Sequence, residues 1–272
     1  MNNKYGSLIP TARLIDGKPR SIVFDATKCI GCRQCVHACK DWNDLPRTSV
    51  YEMSSTTWIT MEPPVLEGLS PLWARNSCMH CEYPSCAAVC PVEAITKYEE
   101  GPVVIDKEAC IGCEYCIYAC PWGALSEHDI KSVISRDGTS KKANKCTMCS
   151  DRVRQDQKPF CVQACPADAL DFGPSDEMAV KANEKAQSAG GYVYGQHEAG
   201  GTQVMYVLKD KKEAYGVRNV GEARYPKHRI PVGLMLKDLF TPRCGFAGKA
   251  RALYLAIIHP GRLLYRYWPW RA

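Results

Sequence analysis

The 272-residue sequence lacks a long apolar run, because no stretch approaches the roughly 20 apolar residues that a membrane-spanning helix needs. Its first residues, MNNKYGSLIPTARLIDG, contain neither an apolar core nor a twin arginine, so we expect no export signal of its own. The G-x-G-x-x-G, phosphate-loop and zincin motifs are absent, as is the C-x3-C-x2-C spacing of radical enzymes. These absences argue against a self-contained catalyst of any of those classes.

Cysteine, in contrast, is abundant. The chain has 17 cysteines, and all except Cys244 fall into four groups. The groups are Cys29, Cys32, Cys35 and Cys39; Cys78, Cys81, Cys86 and Cys90; Cys110, Cys113, Cys116 and Cys120; and Cys146, Cys149, Cys161 and Cys165. Dense disulfide frameworks belong to short secreted chains, so we interpret the grouped thiols as reduced metal ligands and Cys244 as a spare buried thiol.

The spacing within the groups is typical of iron–sulfur proteins. The first and third groups read C-x2-C-x2-C-x3-C, the second C-x2-C-x4-C-x3-C and the fourth C-x2-C-x11-C-x3-C. In such runs, three cysteines bind one 4Fe–4S cube and the fourth, starting a helical turn, binds a different cube. Four groups therefore predict four 4Fe–4S clusters with all sixteen grouped cysteines as iron ligands.

The residue after each group gives further support. Pro91, Pro121 and Pro166 follow three of the groups, like the C-P ending of the bacterial ferredoxin run, whereas Lys40 follows the first group. The alternative is structural zinc, which uses pairs of C-x2-C and fits these triplets poorly. The long gap of the fourth group leaves a different cluster type open there.

Two histidines, His37 and His80, lie inside the cysteine groups. Because each group already supplies four cysteines, we interpret both as non-ligands that are able to hydrogen-bond near the metal.

The formal charge of +6 does not indicate a nucleic-acid partner. An oxidised 4Fe–4S cluster with four thiolates carries about −2, so four clusters would bring the total to about −2. We interpret the lysines and arginines as compensation for buried negative clusters. The region of the groups also lacks a basic run interleaved with aromatic residues, so no nucleic-acid partner is expected.

The remaining sequence predicts short secondary-structure elements around the groups. Before the third group they are a strand at Ile22-Val23-Phe24, an extended spacer over 41–77 broken by Pro63-Pro64, and a strand from Val103 to Ile105. After the third group we expect a hairpin over 126–145 with Asp137-Gly138 as its turn. A helix over 176–189, capped by Ser175 and stopped by Gly190-Gly191, and a buried strand at QVMYVLKD follow the fourth group.

Four stretches carry a family resemblance, which covers about residues 20–172. They are ATKCIGCRQCVHACKDWNDLP, NSCMHCEYPSCAAVCPVEAI, GPVVIDKEACIGCEYCIYACPWGA and ANKCTMCSDRVRQDQKPFCVQACPADAL. The chain resembles the four-cluster ferredoxin subunits of molybdopterin and tungstopterin oxidoreductases. The later stretch YGQHEAGGTQVMYVL resembles the iron–sulfur (β) subunits of formate dehydrogenases, and ferredoxin subunits of membrane-bound hydrogenases have a similar tail.

The resemblance implies a pairing of the groups that spacing alone leaves open. It assigns one cluster to Cys29, Cys32, Cys35 and Cys165, another to Cys39, Cys146, Cys149 and Cys161, a third to Cys78, Cys81, Cys86 and Cys120, and a fourth to Cys90, Cys110, Cys113 and Cys116. The implied fold is α+β, with two bacterial-ferredoxin-like double-cluster modules, one nested in the other. The outer module spans 1–77 plus 126–172, the inserted module 78–125, and a C-terminal extension 173–272.

The resemblance also implies a function. We expect a non-catalytic electron-transfer subunit, active in anaerobic respiration, that relays electrons between a metal–pterin catalytic subunit and a membrane or soluble acceptor. The expected catalytic partner is formate dehydrogenase, and a membrane cytochrome or quinone-reactive subunit is a further candidate partner. The alternative is the equivalent subunit of a nickel–iron hydrogenase or of another molybdopterin oxidoreductase.

The end of the chain, FAGKARALYLAIIHPGRLLYRYWPWRA, departs from family members that end in a membrane-spanning helix. Its short apolar run is flanked by arginines and tryptophans, which favours either an interfacial helix on a membrane or a tail packed on a partner subunit. We expect a membrane-associated complex, periplasmic through co-export with a signal-bearing partner, with a cytoplasmic location as the alternative.

Overall fold

A computed structural model describes residues 17–63, 73–110, 112, 115–124, 134–136, 141–217 and 220. Its α-helices are α1 (Gln34–Trp42), α2 (Ser85–Ala88), α3 (Tyr115–Tyr118), α4 (Ser150–Val153), α5 (Phe160–Gln163) and α6 (Ser175–Ala189). Its strands are β1 (Arg20–Asp25), β2 (Ile59–Glu62), β3 (Ala74–Ser77), β4 (Ile95–Lys97), β5 (Val103–Ile105), β6 (Ile134–Arg136), β7 (Lys141–Ala143), β8 (Leu170–Pro174), β9 (Tyr192–Tyr194) and β10 (Val204–Leu208). Short 3-10 helices span Glu198–Gly200 and Lys212–Tyr215. This mixture of helices and strands is compatible with the α+β prediction.

A four-stranded sheet in the order β8-β1-β10-β9 joins distant parts of the chain. β1 pairs antiparallel with β8, with Ile22 opposite Phe172, and parallel with β10, with Ile22 opposite Val204. The predicted strands at Ile22–Phe24 and within residues 203–210 are therefore confirmed. The sheet connects the segment before the first cysteine group to the segment after the fourth group and to residues beyond it.

The two faces of this sheet bury different sets of residues because neighbouring side chains on a strand point to opposite sides. Val23 and Val207 lie against α6, where Met178 fills the space between helix and sheet. Phe24 and Tyr206 face the larger core on the other side. That larger core also contains cysteines of the first and fourth groups, namely Cys39, Cys146 and Cys161.

Helix α6 starts one residue earlier than predicted, and Ser175 is not its cap. The residue before the helix is Pro174, and no side chain caps the first turn. The Ser175 hydroxyl is instead 2.7 Å from the hydroxyl of Ser21 and donates to Gln203 Oε1 at 2.8 Å. The side chain of Ser175 therefore ties the helix to the sheet rather than to its own backbone. The predicted stop is confirmed, since the helix ends at Ala189 and Gly190 has a φ of 68°.

The described residues also form three small antiparallel pairs: β2 with β3, β4 with β5 and β6 with β7. The strand predicted from Val103 to Ile105 is confirmed as β5. The predicted hairpin over 126–145 is confirmed in its strands, where Ile134 lies opposite Ala143, while its turn at Asp137-Gly138 lies outside the described residues.

The predicted interfacial segment from Phe246 onward lies outside the described residues. Within the described ranges, no helix combines the length and the apolar composition needed to cross a lipid bilayer.

The packing of α6 on the sheet gives a stability prediction. Met178 is 1% exposed, so Met178→Ala should lower the free energy of unfolding by about 2–5 kcal/mol through lost burial and a residual cavity. Val180 lies on the same helix and is 58% exposed, so Val180→Ala should change it by less than about 0.5 kcal/mol. Anaerobic urea denaturation measures both values, and equal losses in the two variants would contradict this packing.

Candidate metal centres

The third and fourth cysteines of each group lie one helical turn apart. Cys35 and Cys39 both lie in α1, and the third cysteines of the other groups lie in the short helices α2, α3 and α5. In each case the fourth cysteine follows four residues later, at or just after the end of the helix. The fourth cysteine therefore completes a helical turn that the third cysteine begins, which differs from the prediction that the fourth would start the turn.

The first cavity is lined in part by the loop that precedes α1 and has a volume of about 350 Å³. Its cysteines are Cys29, Cys32, Cys35 and Cys165, the four that the family resemblance assigns to one cluster. Apolar side chains such as Phe24 and Leu170 cover much of the remaining wall. Gly31 in this loop has a φ of 69°, and a Cβ there would meet the Trp73 ring at 2.0 Å, so only glycine fits.

The second cavity, of about 280 Å³, is formed by both outer groups. Its cysteines are Cys39, Cys146, Cys149 and Cys161. The Asn43 side-chain amide donates to Cys39 Sγ at 3.6 Å, and the backbone N–H of Met148 donates to Cys146 Sγ at 3.4 Å. Hydrogen bonds of this kind favour thiolate over thiol, because they stabilise the negative charge on sulfur.

The third cavity, of about 390 Å³, joins the second and third groups. Its cysteines are Cys78, Cys81, Cys86 and Cys120. The indole N–H of Trp122 donates to Cys81 Sγ at 3.0 Å, and Lys145 lies in the cavity wall. Trp122 is a residue that the sequence analysis missed, although its position two residues after Cys120 in the run C-P-W is a usable signal.

The remaining set is described in part. Cys90 and Cys116 are buried in a hydrophobic cluster with β4 and β5, and Cys110 packs against the same cluster. The backbone N–H of Ala94 donates to Cys90 Sγ at 3.2 Å. Cys113 lies outside the described residues, as does Cys244.

The three cavities follow one another through neighbouring sulfurs. Cys35 of the first cavity interacts electrostatically with Cys161 of the second, and Cys146 of the second interacts with Cys78 of the third. Cys86 of the third cavity lies one helical turn before Cys90 of the remaining set. The three cavities and the remaining set are therefore linked to one another through neighbouring cysteines.

Burial keeps several of the metal-free thiols protonated. It raises the pKa of Cys35 and Cys86 to about 12 and that of Cys146 to about 11. A buried uncompensated thiolate is unfavourable, so these sulfurs become anionic only when a cationic metal replaces the proton. The chemistry of the sites is therefore that of metal ligation.

The geometry fits a multi-atom group better than a single ion. In the part of the chain that the structure describes, no three His, Cys, Asp or Glu side chains lie close enough together to hold one metal ion. The four-cysteine sets are instead spread around the walls of three cavities. A tetrahedral zinc site would draw its four ligands around one atom, so the zinc alternative fits these cavities poorly.

Neither histidine of the groups lines any of these three cavities. His37 is exposed on α1. His80 is buried, its Nδ1 accepts the backbone N–H of Val103 at 2.9 Å, and burial lowers its pKa well below the ordinary value, with Lys145 and Lys97 acting in the same direction. His80 is therefore a neutral, inward-facing side chain in this structure.

Lys40, which replaces the proline after the first group, is 1% exposed. Its Nζ donates to the carbonyl oxygens of Pro46 and Thr56 and to the hydroxyls of Thr48 and Thr57 at 2.8–3.1 Å. Lysine at this position fixes the spacer that follows α1 against the helix end, which a proline could not do.

Arg75 is a second residue that the sequence analysis missed. It lies in β3, lines the first cavity, and its Nη2 is 3.9 Å from Cys161 Sγ of the second cavity. The sequence around Arg75 contains no motif that would predict an arginine between two sulfur-lined cavities.

Comparisons with known proteins agree with this chemistry. Two family models, each described as a 4Fe-4S dicluster domain, match residues 70–175 and residues 28–95. The sequence is 40% identical over 170 residues to the B subunit of anaerobic dimethyl sulfoxide reductase of Escherichia coli (strain K12), covering 61% of this chain and 78% of the relative.

Two relatives with longer matches carry a different name. The formate dehydrogenase-O iron-sulfur subunit of Escherichia coli (strain K12) is 38% identical over 214 residues, covering 71% of this chain and 68% of the relative. The formate dehydrogenase iron-sulfur subunit of Haemophilus influenzae is 33% identical over 253 residues, covering 85% of this chain and 77% of the relative.

The raised thiol pKa values predict that the metal-free protein loses stability in alkaline solution. An unfolded thiol titrates near 9.0, whereas Cys35 and Cys86 in the fold titrate at about 12. Because the folded pKa is the higher one, the stabilisation is complete below about pH 9 and is lost as the pH rises towards about 12. At pH 10 each such thiol should lower the free energy of unfolding by about 1.4 kcal/mol.

Urea denaturation of anaerobic, metal-free protein at pH 8 and pH 10 measures this loss. Cys35→Ser removes one raised pKa, so its decrease between the two pH values should be smaller by about 1.4 kcal/mol. Identical pH dependence in the parent protein and the variant would contradict the assignment.

Proposed function

Because the chain belongs to the family of 4Fe–4S iron–sulfur subunits that includes the dimethyl sulfoxide reductase B subunit and the formate dehydrogenase iron-sulfur subunits, we propose that it carries four clusters in a row and passes electrons along them for formate oxidation or carbon dioxide reduction. The resemblance to ferredoxin subunits of molybdopterin oxidoreductases is confirmed, and the chain is an electron-transfer subunit with 4Fe–4S clusters. The number of clusters, their ligands, the partner and the location are the proposal.

The proposed ligand sets are the four that the resemblance implies. The observation that carries them is the convergence of cysteines from two distant groups on each of three cavities, such as Cys165 with Cys29 and Cys120 with Cys78. The fourth set is supported by the shared burial of Cys90 and Cys116 and by the neighbouring Cys110.

The proposed domain organisation is nested. The outer module, 1–77 with 126–172, is supported by the pairing of β1 with β8, which flank the first and fourth groups. The inserted module, 78–125, is supported by the β4–β5 pair and the small hydrophobic core around it. The extension, 173–272, begins as a part of the central sheet, where β10 pairs with β1.

When bound, each cluster supplies a one-electron carrier. The chain itself holds the sulfurs on short helices and on the loops that flank them, excludes water with apolar side chains and donates hydrogen bonds to sulfur. Trp122 on Cys81 and the backbone of Ala94 on Cys90 are two such donors. Burial, nearby charge and sulfur hydrogen bonds set cluster potentials, so these residues determine how readily each site accepts an electron.

Formate is the proposed substrate of a metal–pterin catalytic partner. The formate dehydrogenase subunits match 71% and 85% of this chain, compared with 61% for the dimethyl sulfoxide reductase subunit. The stretch YGQHEAGGTQVMYVL, which resembles formate dehydrogenase subunits, begins at the last residue of β9 and continues through the connecting segment to the end of β10.

A dimethyl sulfoxide reductase-type partner is the second candidate, because the B subunit of that enzyme has the higher identity, 40%. A nickel–iron hydrogenase partner remains the other alternative from the family resemblance. With either partner, the proposed clusters of this chain would carry electrons in the same way.

We propose a membrane-associated complex in the periplasm, reached by co-export with a signal-bearing partner, with a cytoplasmic complex as the alternative. The acceptor would be a membrane cytochrome or quinone-reactive subunit. The support is the basic and aromatic composition of residues 246–272, which suits a membrane surface or a partner subunit.

Double cysteine variants test the ligand sets. Cys29 and Cys165 belong to one proposed cluster, so Cys29→Ser/Cys165→Ser should disturb one cluster in the EPR spectrum of the reduced protein. Cys161 and Cys165 are one helical turn apart but belong to different proposed clusters, so Cys161→Ser/Cys165→Ser should disturb two. Cys244→Ser is the matched control and should leave every signal unchanged. Two disturbed clusters in the first variant and one in the second would refute the pairing.

Affinity purification of the native complex tests the partner. A tagged chain isolated anaerobically from its own cells should bring down a pterin-containing large subunit, and the purified complex should reduce a dye with formate. Dimethyl sulfoxide reduction or hydrogen oxidation instead would replace the formate assignment with one of the two alternatives. Recovery of the complex in the cytoplasmic fraction, free of membranes, would overturn the proposed location.

A further inference from the structure

Arg75 is a buried cation placed between two of the sulfur-lined cavities. Its side chain is 2% exposed and lines the first cavity. Its Nη2 points to Cys161 Sγ of the second cavity at 3.9 Å, and its Nη1 donates to the Ser77 hydroxyl. The guanidinium therefore touches both sites from the short strand β3.

The guanidinium has no carboxylate partner among the ion pairs of the described residues. Two other buried arginines do have one, since Arg20 pairs with Asp156 at 2.8 Å and Arg154 with Glu100 at 3.4 Å. The Nε of Arg75 has no hydrogen-bond partner in the described part of the chain. An uncompensated buried charge costs several kcal/mol, so this site requires negative charge from another source.

Arg75 faces sulfurs of the two cavities, which become negative when they bind a metal. Its largest electrostatic partners are Cys161 of the second cavity and the Tyr206 hydroxyl, followed by Cys146 of the second cavity and Cys35 of the first. Tyr206 also hydrogen-bonds to Arg75 and Ser77, which holds the guanidinium in place. A 4Fe–4S cluster with its four thiolates carries about −2, so a cluster in each cavity would supply the missing charge.

We propose that Arg75 is the shared counter-ion of the clusters in the first and second cavities and raises the reduction potentials of both. This inference rests on the proposed function, which places clusters there. Reduction adds one electron to a cluster of about −2 and gives about −3, without transfer of an atom. A fixed positive charge in a low-dielectric core favours the more negative state, so it favours reduction.

One charge between two clusters has a consequence that two separate charges would not have. Because the same guanidinium acts on both clusters, it raises both potentials, and its removal should lower both at once. Trp122, in contrast, donates to a sulfur of the third cavity alone. Arg75 thus acts on the two clusters through its fixed positive charge, and it does so without gaining or losing a proton.

Arg75→Gln tests this inference, because glutamine keeps polar donor capacity and removes the charge. EPR-monitored redox titration of the full complex should show both clusters becoming harder to reduce, by tenfold or more in the reduction equilibrium constant, which is about 59 mV for one electron. The clusters are assigned with the cysteine variants described above. The cluster of the Cys90 set, farthest along the row, should shift by a smaller amount.

Two matched variants separate charge from packing. Lys181→Gln removes the same formal charge from the outer face of α6, where Lys181 is 49% exposed near Asp171, and it should leave all potentials unchanged. Arg75→Lys keeps the charge but loses the planar fork, and its potentials should lie closer to those of the parent protein than to those of Arg75→Gln.

The outcomes are distinguishable. Clusters that are present in Arg75→Gln with unchanged potentials would overturn the inference and leave the proposed function intact, whereas a parent protein without iron would overturn both. If Arg75→Gln does not bind the two clusters, the Arg75→Lys variant distinguishes a role in charge from a role in packing. Normal assembly with lysine supports the counter-ion role, and failure with lysine shows that Arg75 serves packing instead.

Discussion

The arrangement depends on one local constraint, which is that two cysteines one helical turn apart face two different sites. Cys35 and Cys39 of α1 lie in the first and second cavities, and Cys161 and Cys165 lie in the second and first. Two short helical segments from opposite ends of the cysteine region therefore interlock around a pair of sites. Helix geometry therefore sets the spacing between the two cysteines that each segment contributes to the two sites.

The second constraint is charge. Sulfur sites packed into an apolar core are unfavourable as bare thiolates, and burial raises the pKa of thiols such as Cys35 and Cys86 to about 12. Buried cations lie next to them, with Arg75 at the first and second cavities and Lys145 in the wall of the third. Part of the positive charge of the sequence therefore lies in the interior beside sulfur, as the sequence analysis expected for compensation of buried clusters.

Sequence patterns predicted the metal-ligating cysteines more completely than they predicted the fold around them. Spacing identified the cysteine groups because a cluster demands ligands at short, fixed intervals. Short continuous apolar runs identified the strands around Val23 and Val207 because both faces of that sheet are buried. The role of Ser175 was mispredicted because its hydroxyl had a better partner in Gln203, a residue 28 positions away. Arg75 and the β1–β10 pairing could not be predicted from local sequence, since both depend on segments far apart in the chain.

We propose that sulfur from sixteen grouped cysteines holds iron in four cubes, so that electrons can cross an otherwise insulating polypeptide. Quantitative iron, zinc and acid-labile sulfide analysis of anaerobically purified protein tests this proposal. Four cubes require a brown protein with roughly sixteen irons and sixteen sulfides per chain and no stoichiometric zinc. A colourless protein with zinc in place of iron, or one with about half that iron after full reconstitution, would contradict it.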